Sequence, residues 1–157
     1  MHNQLKDKLH DVILGKSKVR FGITIQAVAN HLSESTLPST KIENSKQYKQ
    51  QEAKRLELFI SNNNLWITNI DFSQYLSEGA EQKVFLKNSQ QVIKLNDCIY
   101  YDCWRDYLYN LLLHNFFFED TAYDLIGFTK ENEVLFALVQ QAFVSKLNSK
   151  NLDKVTL

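Results

Sequence analysis

The 157-residue chain has one proline, four glycines, two cysteines and no net charge, with 18 basic side chains balanced by 18 acidic ones. Each shortage excludes something. Cys98 and Cys103 cannot form a disulfide framework, and a single close pair is not a structural zinc signature, which needs four ligands in recognisable pairs. The reading is of two buried, reduced thiols, with no metal site. Zero net charge gives no general electrostatic reason to bind DNA, RNA or an acidic membrane. No apolar run approaches the roughly 20 residues needed to span a bilayer; the best stretch, 107–118, is interrupted by Asn110, His114 and Asn115. The opening MHNQLKDKLH lacks the apolar centre of a signal peptide, so a cytoplasmic location is expected. No GxSxG, HExxH, Walker A or dinucleotide fingerprint occurs, and no internal repeat is visible.

Apolar residues are plentiful. They make up 44% of the chain, with ten Phe, seven Tyr and two Trp, enough to offset the entropy of ordering and to fill one domain's core. Charge divides the chain: residues 1–70 carry ten basic and six acidic groups, whereas 71–157 carry eight and twelve. The first part reads as helices. Leu5, Leu9, Val12 and Ile13 share a face, with Gly15 where a left-handed cap belongs. Ile25, Val28, Ala29 and Leu32 form a second stripe, with Thr24 as its N-cap. The proline lies in the loop SESTLPSTK. A third helix, 45–60, buries Tyr48, Leu56, Phe59 and Ile60 and ends at SNNN.

Beyond Leu65 the period changes. LWITNI reads as a short strand, and VFLK with QVIKL as a hairpin rich in β-branched residues. Asp102 can cap a helix carrying Trp104, Tyr107, Leu108, Leu111 and Leu112, the pattern of a helix lying on a sheet. AYDLIGF and VLFALVQQ flank a second turn. Hairpins in place of regular crossovers predict an α+β fold with a mainly antiparallel sheet. Residues 1–70 are expected to form its helical part, 71–145 the sheet with its packed helix, and 146–157 a polar tail, all within one compact unit.

From 75 to 144 the order of elements is that of a protein-kinase small lobe. There a glycine loop covers the phosphates, a strand lysine pairs with them, and a helix supplies an acid to hold the lysine. In such a layout Lys94 of VIKL is the phosphate partner, Gly79 permits close backbone approach, and Gln141 of QQAFV lies in the segment touching the adenine edge. A single glycine is a weak loop signal, and Lys94 also fits the exposed position of an alternating strand. The helix acid is poorly defined. Asp106 projects opposite the apolar stripe; Asn110 and His114 flank that stripe better, yet neither is an anion at neutral pH.

The wording of the sequence adds to this pattern. FGITIQAVANHL, QYKQQEAKRLELF, YLSEGAEQKVFL, VIKLND, LLLHNFFFEDTAYDLIGF and VQQAFV closely resemble the polyvalent-protein kinase family, found mostly in Bacteroidetes-type bacteria and often on mobile elements. The resemblance implies a kinase-like fold, ATP with Mg²⁺ as ligands, and nucleotide contacts at Gly79, Glu81, Lys94, Asp106 and Gln141, with His114 as a further candidate. Family members continue into an Asp/Asn-containing catalytic element and a metal-binding Asp. Here SKLNSKNLDKVTL has neither an HRD-like nor a DFG-like string, and Asp153 is its only acid. Phosphoryl transfer needs both parts, so no catalytic residue is assigned, and neither phosphotransfer nor a large lobe is expected of these 157 residues.

Two other classes of function compete. The aromatic run Phe116, Phe117, Phe118 and Tyr123 is either core or an uncovered surface for a protein partner, a second copy or another protein of the same mobile element. Lys16, Lys18 and Arg20, with Lys46, Lys49, Lys54 and Arg55, form either a weak nucleic-acid face beside Phe21 and Tyr48 or a solvated one. In the solvated case Lys49, Glu52, Lys54 and Glu57 make pairs along the third helix. His2, His10 and His31 have no site-like spacing; His114 is read as bonding a loop at the end of its helix.

Overall fold

A computed structural model of the chain describes residues 2–34, 45–71, 73, 75–78 and 82–142. Helices α1 (His2–Leu14), α2 (Gly22–Glu34) and α3 (Ser45–Asn62) come first. Strands β1 (Tyr75–Glu78), β2 (Gln82–Leu86) and β3 (Gln91–Asn96) follow. Helix α4 (Trp104–Phe117), a short 3₁₀ turn (Glu119–Thr121), β4 (Asp124–Glu131) and β5 (Val134–Ala142) complete it. The five strands form one antiparallel sheet in the order β1-β2-β3-β5-β4. The fold is α+β, and no helix among the described residues is long and apolar enough to cross a membrane. The Pro38 loop, Gly79, Glu81 and the tail from residue 143 lie outside the described residues.

The apolar stripes decide the packing. Val12, Ile25, Leu32, Leu56 and Ile60 from the first three helices meet Leu108 and Leu112 of α4, and Phe128 and Val139 of the sheet, in one buried cluster. A smaller cluster of Phe85, Leu95 and Leu138 lies on the other face. α1 ends as its glycine predicts. Gly15 is left-handed at φ 80°, and the Lys16 amide donates to the Asp11 carbonyl at 2.8 Å. Gln26 holds the following turn, its amide donating to the carbonyls of Val12 and Ser17, each at 2.9 Å.

Several local expectations fail for tertiary reasons. α2 starts at Gly22, two residues before Thr24, because the left-handed Phe21 (φ 56°) redirects the chain there. LWITNI is no strand; only Trp66 bridges, in parallel, to Phe128. Ile67 donates to the Phe128 carbonyl, and Phe128 to that of Leu65, both at 2.8 Å. This segment covers the outer edge of β4 at Phe128. Gly127 permits it, since a Cβ there would lie 2.5 Å from the Leu65 carbonyl oxygen. Asp102 does not cap α4. The N-cap is Cys103, without a side-chain bond. The cap comes from α3: Glu52 Oε1 accepts from the Trp104 amide at 2.6 Å and Oε2 from that of Arg105 at 3.2 Å.

Among the described residues, charges expected to pair along α3 are instead used across the fold. Lys49 donates to the carbonyls of Cys98 (2.5 Å) and Tyr101 (2.9 Å), and Glu57 pairs with Lys130 of β4 at 2.7 Å. Both cysteines are free and buried. Burial raises the Cys98 thiol far above its usual range and lifts Cys103 to about 11, which leaves both as protonated packing groups.

Candidate functional site

β3 is the central strand, so a side chain on its helix-facing side sits in the middle of the domain. Lys94 occupies such a place, opposite Val84 of β2 and Val139 of β5. Val139 is buried in the cluster beneath α4, and directly opposed residues share a sheet face. Lys94 is therefore half-buried on the α4 side, not an exposed position of an alternating strand. Its surroundings desolvate the ammonium and lower its pKa from the ordinary lysine value. Its Nζ lies 5.3 Å from the centre of the Tyr123 ring. Among the described residues no carboxylate forms an ion pair with it.

Tyr123 is the hub around which the other candidates collect. His114, near the end of α4, packs against it with ring centres 4.4 Å apart and planes tilted by 41°. Its Nε2–H points to the Thr121 carbonyl at 3.0 Å, a bond that assigns the proton to Nε2 in the neutral ring. The same carbonyl accepts from the Gln141 side-chain amide at 2.8 Å. Lys94, His114 and Gln141 are thus gathered about one short segment, 121–123. Gln141 also borders a small cavity of about 70 Å³ between Arg20, Asp120 and Asp124.

Asp106 does not join them. It is exposed in the first turn of α4, where it acts on the Cys103 thiol. The interior face of α4 is Trp104, Tyr107, Leu108, Leu111, Leu112 and Asn115, with no acid among them. Sequence reasoning missed Asn115 as part of the site, although a signal existed. It falls four residues after Leu111 on an apolar stripe, and a polar residue there must find partners. It is 1% exposed. The Tyr123 amide donates to its Oδ1 at 2.7 Å, while its Nδ2 donates to the carbonyls of Tyr123 (2.9 Å) and Arg20 (3.0 Å). Tyr107, on the same face, has an enclosed hydroxyl with no hydrogen-bond partner among the described residues, and burial raises its pKa well above the usual phenol value.

The aromatic run divides. Phe117 and Phe118 are exposed, by 53% and 60%, whereas Phe116 and Tyr123 are half-buried. Among the described residues no group of three or more His, Cys, Asp or Glu could hold a metal ion.

A five-stranded antiparallel sheet with one helix between its third and fourth strands, and a lysine on the third strand facing that helix, defines a small kinase-like lobe. The chain belongs to the family of serine/threonine/tyrosine kinases found in polyvalent proteins, whose model matches residues 49–157. No curated protein and no solved structure matches it.

Proposed function

We propose that this kinase-like module contacts a nucleoside triphosphate through Lys94, and that these 157 residues bind nucleotide without transferring its phosphate. The observation carrying the reading is a desolvated ammonium on the central strand with no carboxylate partner among the described residues. A half-buried cation is costly unless an anion joins it, and a phosphate supplies that charge. The donor set suits a phosphate oxygen: Lys94 is a compact point charge on a mobile stem. Mg²⁺, when bound with ATP, would neutralise further phosphate charge. The chain contains no HRD-like or DFG-like string, so the reading is one of contact and not of catalysis.

The test is thermal denaturation with ATP and Mg²⁺. Wild-type protein is expected to melt at higher temperature as ATP rises into the millimolar range. Lys94→Met should lose that response while melting no lower than wild type without ligand, because it keeps the stem and removes a desolvated charge. No shift of the wild-type midpoint at millimolar ATP would sink the reading. A second reading, a protein-interaction surface, is favoured by the exposed Phe117 and Phe118. Concentration-dependent size-exclusion chromatography tests its homo-oligomeric form, and a strict monomer would remove that form.

A further inference from the structure

A lysine that must meet a phosphate needs a fixed direction as well as a charge. Its four-carbon stem otherwise samples many rotamers, and ordering them on binding weakens affinity. α4 turns no acid toward the sheet, and Asp106 stands in solvent at its first turn. What lies against Lys94 is the face of Tyr123, at 5.3 Å, inside the range in which an aromatic ring attracts a cation.

That ring is itself held. Asn115 grips the backbone of Tyr123 at both its N–H and its C=O, 2.7 and 2.9 Å away, and uses its remaining amide hydrogen on the Arg20 carbonyl. His114 packs against the ring at 4.4 Å and is tethered through Nε2 to the carbonyl of Thr121. Burial of Asn115 makes these bonds hard to exchange for water.

We propose that Tyr123 is the positioning residue for Lys94, an aromatic face locked by Asn115 and His114 standing where a helix carboxylate would otherwise orient the ammonium. The difference has a chemical consequence. A carboxylate cancels the lysine's charge, whereas a ring orients it and leaves the full positive charge for the ligand. The site therefore favours polyphosphates over monophosphates. The proposal takes its ligand from the nucleotide reading above, but the contact between ring and lysine is measurable without any ligand.

The experiment is NMR of the full chain with lysine side chains labelled, the Lys94 signal being assigned by its loss in Lys94→Met. The ε-methylene protons of Lys94 should be shifted upfield by the Tyr123 ring current. Tyr123→Phe should keep that shift and ATP affinity within about twofold, and Tyr123→Met should lose the shift and weaken ATP binding about five- to tenfold. If Tyr123→Met fails to fold, a tetrafluorinated phenylalanine at 123 keeps the ring's shape while removing its negative face, and should loosen the lysine and weaken ATP binding equally. A Lys94 signal that is unshifted in wild type, or unmoved by Tyr123→Met, overturns the proposal whatever ATP does. Should folded Tyr123→Met or the fluorinated ring leave an existing ATP affinity unchanged, Tyr123 positions nothing and the proposal also falls. A ring-dependent Lys94 signal in a protein that binds no ATP instead overturns the nucleotide reading and leaves the positioning contact standing.

Discussion

Glu52 is the one charged side chain among the described residues that is fully buried. Its two oxygens take the first two amides of α4, which have no partner within their own helix. Glu52→Ala orphans both in the interior, and a loss of about 2–4 kcal/mol in a urea titration is expected. Burial outweighs the hydrogen bonds and nearby arginines, so the pKa of Glu52 is raised above the ordinary glutamate value of 4.5. The folded chain therefore takes up this proton at a higher pH than the unfolded chain. The stability linked to it is fully present below the ordinary glutamate pKa and is lost as pH rises through the raised value. Relative to Glu52→Gln, the wild type should gain stability as pH falls from neutral toward that range; a constant difference between paired melts would refute the assignment. Neither Glu52 nor Asn115 reads as part of a site in sequence. Each is a polar residue on an apolar stripe, which predicts that it has a partner without saying which. The strand that carries Lys94 was legible from Val92, Ile93 and Leu95, but its half-burial was not, because the aromatic face beside it comes from a segment about thirty residues away.

At the scale of elements, both hairpins and the stripes of α2 and α4 follow from period alone, because neighbouring residues supply the apolar face, whereas in α1 Val12 is buried and Leu5 is exposed. Helix starts were less legible. Local residues propose caps, but a distant carboxylate or a left-handed residue can take the place, as Glu52 and Phe21 do. LWITNI has strand-like residues but pairs only where Gly127 lets the backbone approach. The β4–β5 turn gives the prediction at this scale. Asn132 and Glu133 are both left-handed, at φ 51° and 67°, the pair of angles of a type I′ turn. Asn suits that conformation and Glu does not. Glu133→Gly should stabilise the domain by about 0.5–1 kcal/mol, read as a higher denaturation midpoint with unchanged slope. Glu133 is 94% exposed at its side chain and 4.0 Å from Lys130, so little is lost with it.

At the scale of the whole molecule, the family match and the core have different limits. The match begins at residue 49, inside α3, yet Val12, Ile25, Val28 and Leu32 from α1 and α2 are buried in the same cluster as α4. Removing four such side chains withdraws about 6–12 kcal/mol of burial, comparable to the entire stability of a domain, about 5–15 kcal/mol. A fragment of residues 49–157 is expected to lack a cooperative melt and a dispersed amide spectrum; a transition like that of the full chain would contradict this account. Polar contacts join the two parts as well. Lys49 of α3 serves the carbonyls of Cys98 and Tyr101, and Glu57 of α3 serves Lys130 of β4.

The covered edge of β4 sets a limit on assembly. The stretch 65–67 occupies that border, while β1, with Tyr75 and Leu76 exposed, forms the other end of the sheet. At Phe128 both the N–H and the C=O on the outer side of β4 are already taken. A strand from another copy could add along the middle of β4 only by displacing 65–67, so the chain carries its own competitor for that border.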